Sequence, residues 1–338
     1  MKPPPALRSG DVVGVFAPSS RAARQFHDRF QRGLHALEIG LGVHVRLPSF
    51  LEADSVTAYI AGSTKDRASA FMELAADPEV RAIFTTIGGF NTNDILPLLE
   101  KDILSSDPKI VVGYSDTTAL LLAYQSITRH VVFYGPAVLP QFGEYPRPLD
   151  RTVSSLKDML MHGRGEVLLP NAEEVAEWRD WALPPVQRQV RTAPPPLAIR
   201  NGEGSGRLFG GNLSTLNFLV GTPFFAPPDG DLVFFFEATG QEAQPALLRR
   251  ALTQLQQVGL FRRIRAMLVG RSPDTGRTEE MRALLLELFR DYHTFPIAID
   301  LPFGHIDPMA TLPVGVGADV HCHTDAVHVR FQTPAVAL

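Results

Sequence analysis

A two-domain α/β fold built on a mostly parallel sheet is predicted by three features of the sequence. Short apolar, β-branched runs alternate with amphipathic stretches through the first half, the pattern of a parallel sheet covered by helices on both faces. The 338 residues exceed what one ordinary core accommodates. The alternation lapses between about Gly163 and Ile199, where Pro184-Pro185 and Pro194–Pro196 forbid a long regular element, and then resumes. The chain therefore divides into an N-terminal α/β domain over 1–165, a linker or active-site flap over 166–200, and a smaller β-rich C-terminal domain over 201–338.

Asp11–Ala17 (DVVGVFA) reads as a first buried strand closed by Pro18-Ser19-Ser20, and Arg24–Leu37 as a helix. Val43–Leu47 is a second strand; Ser63–Ala76 is helical and Asp77-Pro78 breaks it. Ala82–Ile87 forms a strand running into Gly88-Gly89, Asn93–Glu100 a helix, and Ile110–Val112 a strand leading to Gly113-Tyr114-Ser115 and a helix over Asp116–Ser126. The second half offers Gly206–Gly211, a helix near Leu213–Val220, the apolar strand Asp231–Phe236, a helix over Pro245–Val258, and a strand at Ala266–Val269. Late strands at Val314–Cys322 and Ala326–Phe331 make this half richer in β-structure.

Composition narrows the function. Hydrophobic residues at 45% and charged residues at 20% describe a globular protein. A formal charge of −4 argues against a nucleic-acid or anionic-membrane binder, since either needs a cationic face. Cys322 is the sole cysteine, which excludes an internal disulfide and suits a reducing compartment. The N-terminus lacks a cationic stretch followed by a long apolar run, and no stretch approaches the roughly 20 apolar residues of a spanning helix, so a cytoplasmic location is expected.

Ser115 lies where a strand turns sharply into a helix, in IVVGYSDTTALLLAY. Such turns expose a nucleophilic hydroxyl, and the helix N-terminus favours negative charge developing on a substrate oxygen. Thr117 stands where G-x-S-x-G has its second glycine, and a helix N-cap accounts for Ser115 equally well. Gly88-Gly89 ends the preceding strand at the same sheet rim, where glycines let backbone N–H groups approach a ligand or simply make a tight turn. Of ten histidines, His305 in LPFGHIDP sits at a strand end beside Gly304, suited to a base or to an exposed loop. Glu237 closes LVFFFE, so its charge must be solvated, paired or functional at the rim; Glu242 is the nearest substitute. His321, Cys322, His323 and His328 match no zinc spacing and read as one edge of a solvent-facing strand. The glycines of Gly202-x-Gly204-x-Gly206 and Gly210-Gly211 lack both a Walker lysine and a strand placed to make a dinucleotide fingerprint.

Taken in order, LRSGDVVGVFAPSS, TTIGGFNTNDILPLLE, VVGYSDTTALLLAY, FYGPAVLPQFGE, GRLFGGNLSTLNFLVGTPFF, LVFFFEATGQ and LPFGHIDPMATLPVG resemble the LD-carboxypeptidase family of serine peptidases, which includes microcin C self-immunity proteins. The resemblance spans nearly the whole chain. It implies a Ser115–Glu237–His305 triad, an oxyanion hole from the backbone N–H groups of Asp116 and of Gly89 or Gly88, and no metal or organic cofactor. It further implies a homodimer, with Asn212, Trp178, Trp181 and Gln241 as substrate-binding residues. Ile87-Gly88-Gly89-Phe90-Asn91 and the EWRDW segment are more similar to the microcin C immunity branch, whose members cleave an amide joining an aminoacyl group to a nucleotide-like moiety. The alternative is a murein L,D-carboxypeptidase removing a C-terminal D-alanine from a tetrapeptide. Trp178 and Trp181, three apart, would share a helix face, to stack on a nucleobase or to pack the flap onto its domain. Gln241 stands where immunity-type members place a lysine, which bears on recognition of an acidic aminoacyl group. A non-catalytic small-ligand-binding protein is the rival of another class.

Overall fold

The computed structural model describes residues 1–52, 59–163, 168, 173–175, 179–273, 278–291, 295–324 and 326–338. Its first sheet is built from β1 (Val12–Phe16), β2 (His44–Arg46), β3 (Val80–Thr85), β4 (Ile110–Gly113) and β5 (Val132–Tyr134), all parallel, in the order β5-β4-β3-β1-β2. Strands covered on both faces can be apolar throughout; Val13, Val15, Phe16, Ile83, Phe84, Val111 and Val112 are all fully buried. The helices here are α1 (Ala22–Gln25), α2 (His27–Leu41), α3 (Thr64–Ala76), α4 (Lys101–Ser106), α5 (Thr118–Thr128) and α6 (Asp150–Lys157). Ser63 and Asp66 form a capping box that starts α3. The helix expected over 93–100 is a 3₁₀ turn over Thr92–Leu98, because Pro97 lies inside it. The strand order reverses between β1 and β3, the position at which ligands bind beyond the carboxyl ends of an open α/β sheet.

A small antiparallel hairpin follows, β6 (Glu173–Val175) with β7 (Val190–Thr192). The second sheet contains β8 (Leu197–Arg200), β9 (Gly202–Asn212), β10 (Leu232–Glu237), β11 (Ile264–Gly270) and β12 (Ile297–Leu301). Helices α7 (Leu213–Leu219), α8 (Pro245–Gln257) and α9 (Thr278–Leu288) join its parallel centre, β9 to β12. The chain then adds β13 (Leu312–Val314), β14 (Gly317–His323) and β15 (Ala326–Phe331). β14, β15 and β8 lie antiparallel on the edges of the second sheet, giving the order β15-β14-β9-β10-β11-β12-β8. β13 instead pairs antiparallel with β5 and becomes the edge of the first sheet, although its residues fall within 201–338.

The glycines of β9 serve packing. A Cβ at Gly204 would lie 1.8 Å from the Arg265 carbonyl oxygen and one at Gly210 1.7 Å from that of Phe235, so these are strand residues under a neighbouring backbone and form no phosphate loop. In β14, Cys322 is fully buried while His321 pairs with Glu203 at 3.2 Å. Among the described residues no helix is long and apolar enough to cross a membrane.

Candidate active site

The carboxyl ends of the two parallel sheets face one another across the first turn of α5. Asn212, the last residue of β9, donates its backbone N–H to Thr118 Oγ1 at 3.0 Å. Beside this junction opens a cleft of about 1380 Å³, lined among others by Gly88, Gly89, Phe90, Ser115, Trp181 and His305.

Ser115 follows β4 with φ of +60°, a left-handed conformation a non-glycine residue holds only when its surroundings enforce it. The 3₁₀ turn over Ser115–Thr117 and α5 have their cap positions at Tyr114 and Thr117, and Ser115 itself is the first residue of that turn. Its Oγ lies 3.1 Å from His305 Nε2, and His305 Nδ1 lies 2.8 Å from Glu237 Oε2. The carboxylate can only accept, so Nδ1 carries the hydrogen and Nε2 turns its lone pair to the serine. Glu237 is 1% exposed, and its other oxygen accepts from Tyr134 Oη at 2.6 Å and Asn212 Nδ2 at 3.1 Å. Burial opposes the charge on Glu237, but His305 and the hydrogen-bond donors outweigh it and hold the carboxyl below its ordinary value. For His305 burial likewise favours the neutral ring, yet Glu237 raises the imidazole above its ordinary value. The Tyr114 ring meets the imidazole nearly edge-on, 5.0 Å between centroids. Such an arrangement can take a proton from a hydroxyl and hold the cation that results.

Gly88-Gly89 sits against this turn. A Cβ at Gly88 would lie 3.1 Å from the Asp116 backbone nitrogen. Gly89 has φ of +145°, and a Cβ there would meet Ser19 Oγ at 2.5 Å. That hydroxyl accepts from the backbone N–H groups of Phe90 (3.1 Å) and Asn91 (3.0 Å). The Asp116 carboxylate is buried and accepts from Thr92 N and Oγ1 at 2.9 and 2.7 Å, so it fastens the glycine loop to the serine turn. Burial raises the Asp116 carboxyl above its ordinary value against these bonds.

The substrate-binding expectations fare unevenly. Trp181 lines the cleft, but in a turn rather than a helix; its ring packs on Phe26 at 5.4 Å with the Arg29 guanidinium 4.4 Å from its centroid. Trp178 lies outside the described residues. Asn212 is 3% exposed, with Oδ1 accepting from Thr215 N and Nδ2 bound to Glu237, so it supports the carboxylate and does not line the cleft. Gln241 is exposed in the turn Gly240–Ala243; Thr239 and Gly240 line the cleft and Gln241 does not. Glu242 shares that turn and reaches His305 only through its charge.

Residues that sequence reasoning passed over include Tyr134, Ser19, Thr92 and Arg271. Tyr134 ends a three-residue strand too short to show periodicity, although a polar ring closing the apolar run VVFY marks a sheet rim as Glu237 does. Arg271, 4% exposed, holds Glu174 of the hairpin at 2.9 Å, and Arg191 reaches the same carboxylate at 2.8 Å.

Two facing α/β sheets with a strained serine, a histidine and a buried carboxylate in line define a protein of the serine-hydrolase class. Residues 13–135 match the LD-carboxypeptidase N-terminal domain and residues 205–320 the LD-carboxypeptidase C-terminal domain. The chain belongs to the LD-carboxypeptidase family, and it is a serine carboxypeptidase-type hydrolase. It is 33% identical to a putative carboxypeptidase of Vibrio cholerae, over 96% of this chain and 97% of that one. It is 31% identical to the microcin C7 self-immunity protein MccF of Escherichia coli, over 92% and 90% of the two chains. The solved structure of MccF in complex with aspartyl sulfamoyl adenosine superimposes with a TM-score of 0.89 at 28% identity, covering all of both chains.

Proposed function

We propose that the chain is an amide-cleaving serine enzyme with Ser115 as nucleophile, His305 as general base and acid, and Glu237 as the carboxylate that orients it. The hydrogen-bond relay from Ser115 Oγ through His305 to Glu237, with links of 3.1 and 2.8 Å, carries this reading. Ser115 Oγ attacks the carbonyl carbon as His305 Nε2 takes its proton. The tetrahedral oxygen is held by the backbone N–H groups of Asp116 and of Gly89 or Gly88. His305 then gives the proton to the departing amine nitrogen, and water repeats the sequence on the acyl-serine. No step calls for a metal or an organic cofactor. A module that merely bound a ligand would have no need of a serine strained to φ +60° in front of an aligned base.

For the substrate, an aminoacyl-nucleotide of the microcin C type is favoured over a murein tetrapeptide. Support comes from the likeness to MccF, whose solved complexes hold aspartyl sulfamoyl adenosine and glutamyl sulfamoyl guanosine. The cleft is also roomy, and Trp181 lies on its wall. The family resemblance adds a homodimer acting in the cytoplasm, and sedimentation of the purified chain reads the oligomeric state.

The test is hydrolysis by wild type and Ser115→Ala of an L,D-tetrapeptide ending in D-alanine and of aspartyl- and glutamyl-sulfamoyl adenosine. Loss of the nucleophile lowers turnover by about 10⁶, and the substrate that wild type cleaves assigns the branch. Cleavage of none of them rejects the substrate assignment, and a Ser115→Ala enzyme equal to wild type rejects the relay.

A further inference from the structure

A second polar junction lines the same cleft, outside the Ser115–His305–Glu237 relay. Arg188 belongs to the loop joining β6 to β7 and is largely buried. Its Nη2 lies 2.6 Å from Asp307 Oδ2 and 2.7 Å from Glu144 Oε2, and both carboxylates are themselves largely buried. Asp307 stands two residues beyond His305 in the same loop. Its other oxygen accepts from Gln141 Nε2 at 3.2 Å, and that amide also approaches Tyr114 Oη at 3.3 Å. Tyr114 in turn precedes Ser115 and rests its ring on His305. The hairpin makes one more connection, from Val175 N to the Asp307 carbonyl at 2.8 Å. The hairpin and the histidine loop therefore meet directly at one guanidinium, together with Glu144, and the serine turn is linked to it through Gln141 and Asp307.

Among the described residues, the hydrogen bonds of Arg188 and Asp307 run to Glu144, Gln141, Val175 and each other rather than to Ser115, His305 or Glu237, so the junction acts at one remove from the reacting atoms. What it offers is coupling. Two buried carboxylates share Arg188; Glu144 has Arg29 besides at 3.3 Å, while Asp307 relies on Arg188 as its ion-pair partner to offset its desolvation. If the hairpin lifts, Arg188 leaves with it; Glu144 keeps Arg29 at 3.3 Å, whereas Asp307 keeps the Gln141 amide and loses its cation. The histidine loop then has reason to move, because Asp307 gains water by moving outward. Both carboxylates meet the same guanidinium nitrogen, Nη2, and the planar group holds it there at the end of a less flexible fork than a lysine ammonium offers.

We propose that Arg188 is a positioning residue that couples the seating of the β6–β7 strand pair to the placement of His305, so that the base is aligned only when that pair is docked. The inference rests on His305 being the base. An arginine that only anchored the hairpin would affect substrate affinity and leave the histidine unchanged.

The test uses the full chain with Arg188→Met, Arg188→Lys and Asp307→Asn, each counted for active sites and each with the His305 ring titrated by NMR. Around that ring, among the described residues, stand Glu237, Glu242, Asp307, Tyr114 and Ser115. Arg188→Met is expected to lower kcat per active site by about 10²-fold, the effect of a base displaced by roughly 1 Å. KM should stay within about threefold, since binding common to ground and transition states is retained. The His305 titration should move to higher pH, because a nearby cation has gone and Asp307 has lost its partner. Arg188→Lys should restore the titration and only part of kcat. Asp307→Asn, which keeps the Arg188–Glu144 contact, should lower kcat while moving the titration to lower pH. An Arg188→Met enzyme with kcat and titration unchanged, or one altered in KM alone, overturns the proposal. Should Arg188→Met not fold, Asp307→Asn decides by the same two readings. The NMR titration needs no turnover, so a failure of the Ser115 assignment is told apart from a failure of the coupling.

Discussion

Replacing Glu237 by glutamine tests the relay through one atom, and the structure dictates which way the new amide must turn. Oε1 of Glu237 faces two donors, Tyr134 Oη at 2.6 Å and Asn212 Nδ2 at 3.1 Å. Neither reverses readily. The Asn212 amide is held by its Oδ1, which accepts from Thr215 N at 3.0 Å and Thr215 Oγ1 at 3.1 Å at the start of α7. Tyr134 Oη already accepts from Ser115 N at 3.3 Å. The glutamine must therefore place its carbonyl on that side and its NH₂ against His305 Nδ1. Nδ1 becomes the acceptor, the ring hydrogen moves to Nε2, and the lone pair that should take the serine proton is gone. An amide in place of a triad carboxylate costs about 10⁴ in kcat, which is roughly 5.5 kcal/mol of transition-state stabilisation. The assay is steady-state product formation resolved by chromatography, with Ser115→Ala as the floor and thermal unfolding to show that Glu237→Gln folds. A loss smaller than about tenfold, with the variant folded, would refute the assignment of Glu237 as the residue that sets the histidine tautomer.

Other perturbations read neighbouring parts. The base must be neutral to accept a proton, so kcat/KM should rise with pH through a midpoint above the ordinary histidine value of 6.5, since Glu237 holds the His305 pKa up. The same shift makes the His305 contribution to stability complete below 6.5 and lost as pH rises through the raised value. Glu237 behaves in the opposite sense, its contribution present above 4.5 and lost as pH falls through the lowered value, so urea titrations across pH should show both limbs. Gly89→Ala forces a Cβ to 2.5 Å from Ser19 Oγ at φ +145°; displacing the loop should lower kcat by about 10²–10³, the cost of one oxyanion donor, and wild-type turnover would count against Gly89. Arg271→Met removes the buried one of the two cations on Glu174 and leaves Arg191 in place, so the local cost should fall below the roughly 3–5 kcal/mol of a fully unpaired buried charge; hydrogen exchange in β6 and β7 should accelerate, and unchanged protection would show that Arg191 alone suffices.

Much of the fold is legible from local pattern. DVVGVFA, IVVG and DLVFFF are apolar without alternation because both faces of each strand are covered, and β1, β4 and β10 form where those runs lie. Ser63 and Asp66 mark the start of α3 by their own side chains. Among the elements missed, β5, β6, β7, β8 and α4 have three to six residues, fewer than a period can show, and the eight-residue α6 lies beside the stretch where the alternation lapses. α9 was passed over as well. Trp181 was placed on a helix from a spacing of three, yet in a segment rich in proline that spacing carries no helical meaning and the residue lies in a turn.

The sequence by itself determined the strand–helix alternation and the placing of Ser115, Glu237 and His305 beside strand ends, because those properties depend on residues only a few positions apart. The tertiary structure decided which groups meet. Ser115 and His305 are 190 residues apart in the chain, Tyr134 and Glu237 103, and Glu237 and His305 68. No local preference reaches across such spans. Strand order does, since it sets the carboxyl ends of β4, β5, β9 and β10 facing one junction. Only there does a serine that might have capped a helix meet a histidine, and only there does a carboxylate that might have faced solvent become buried with three hydrogen bonds.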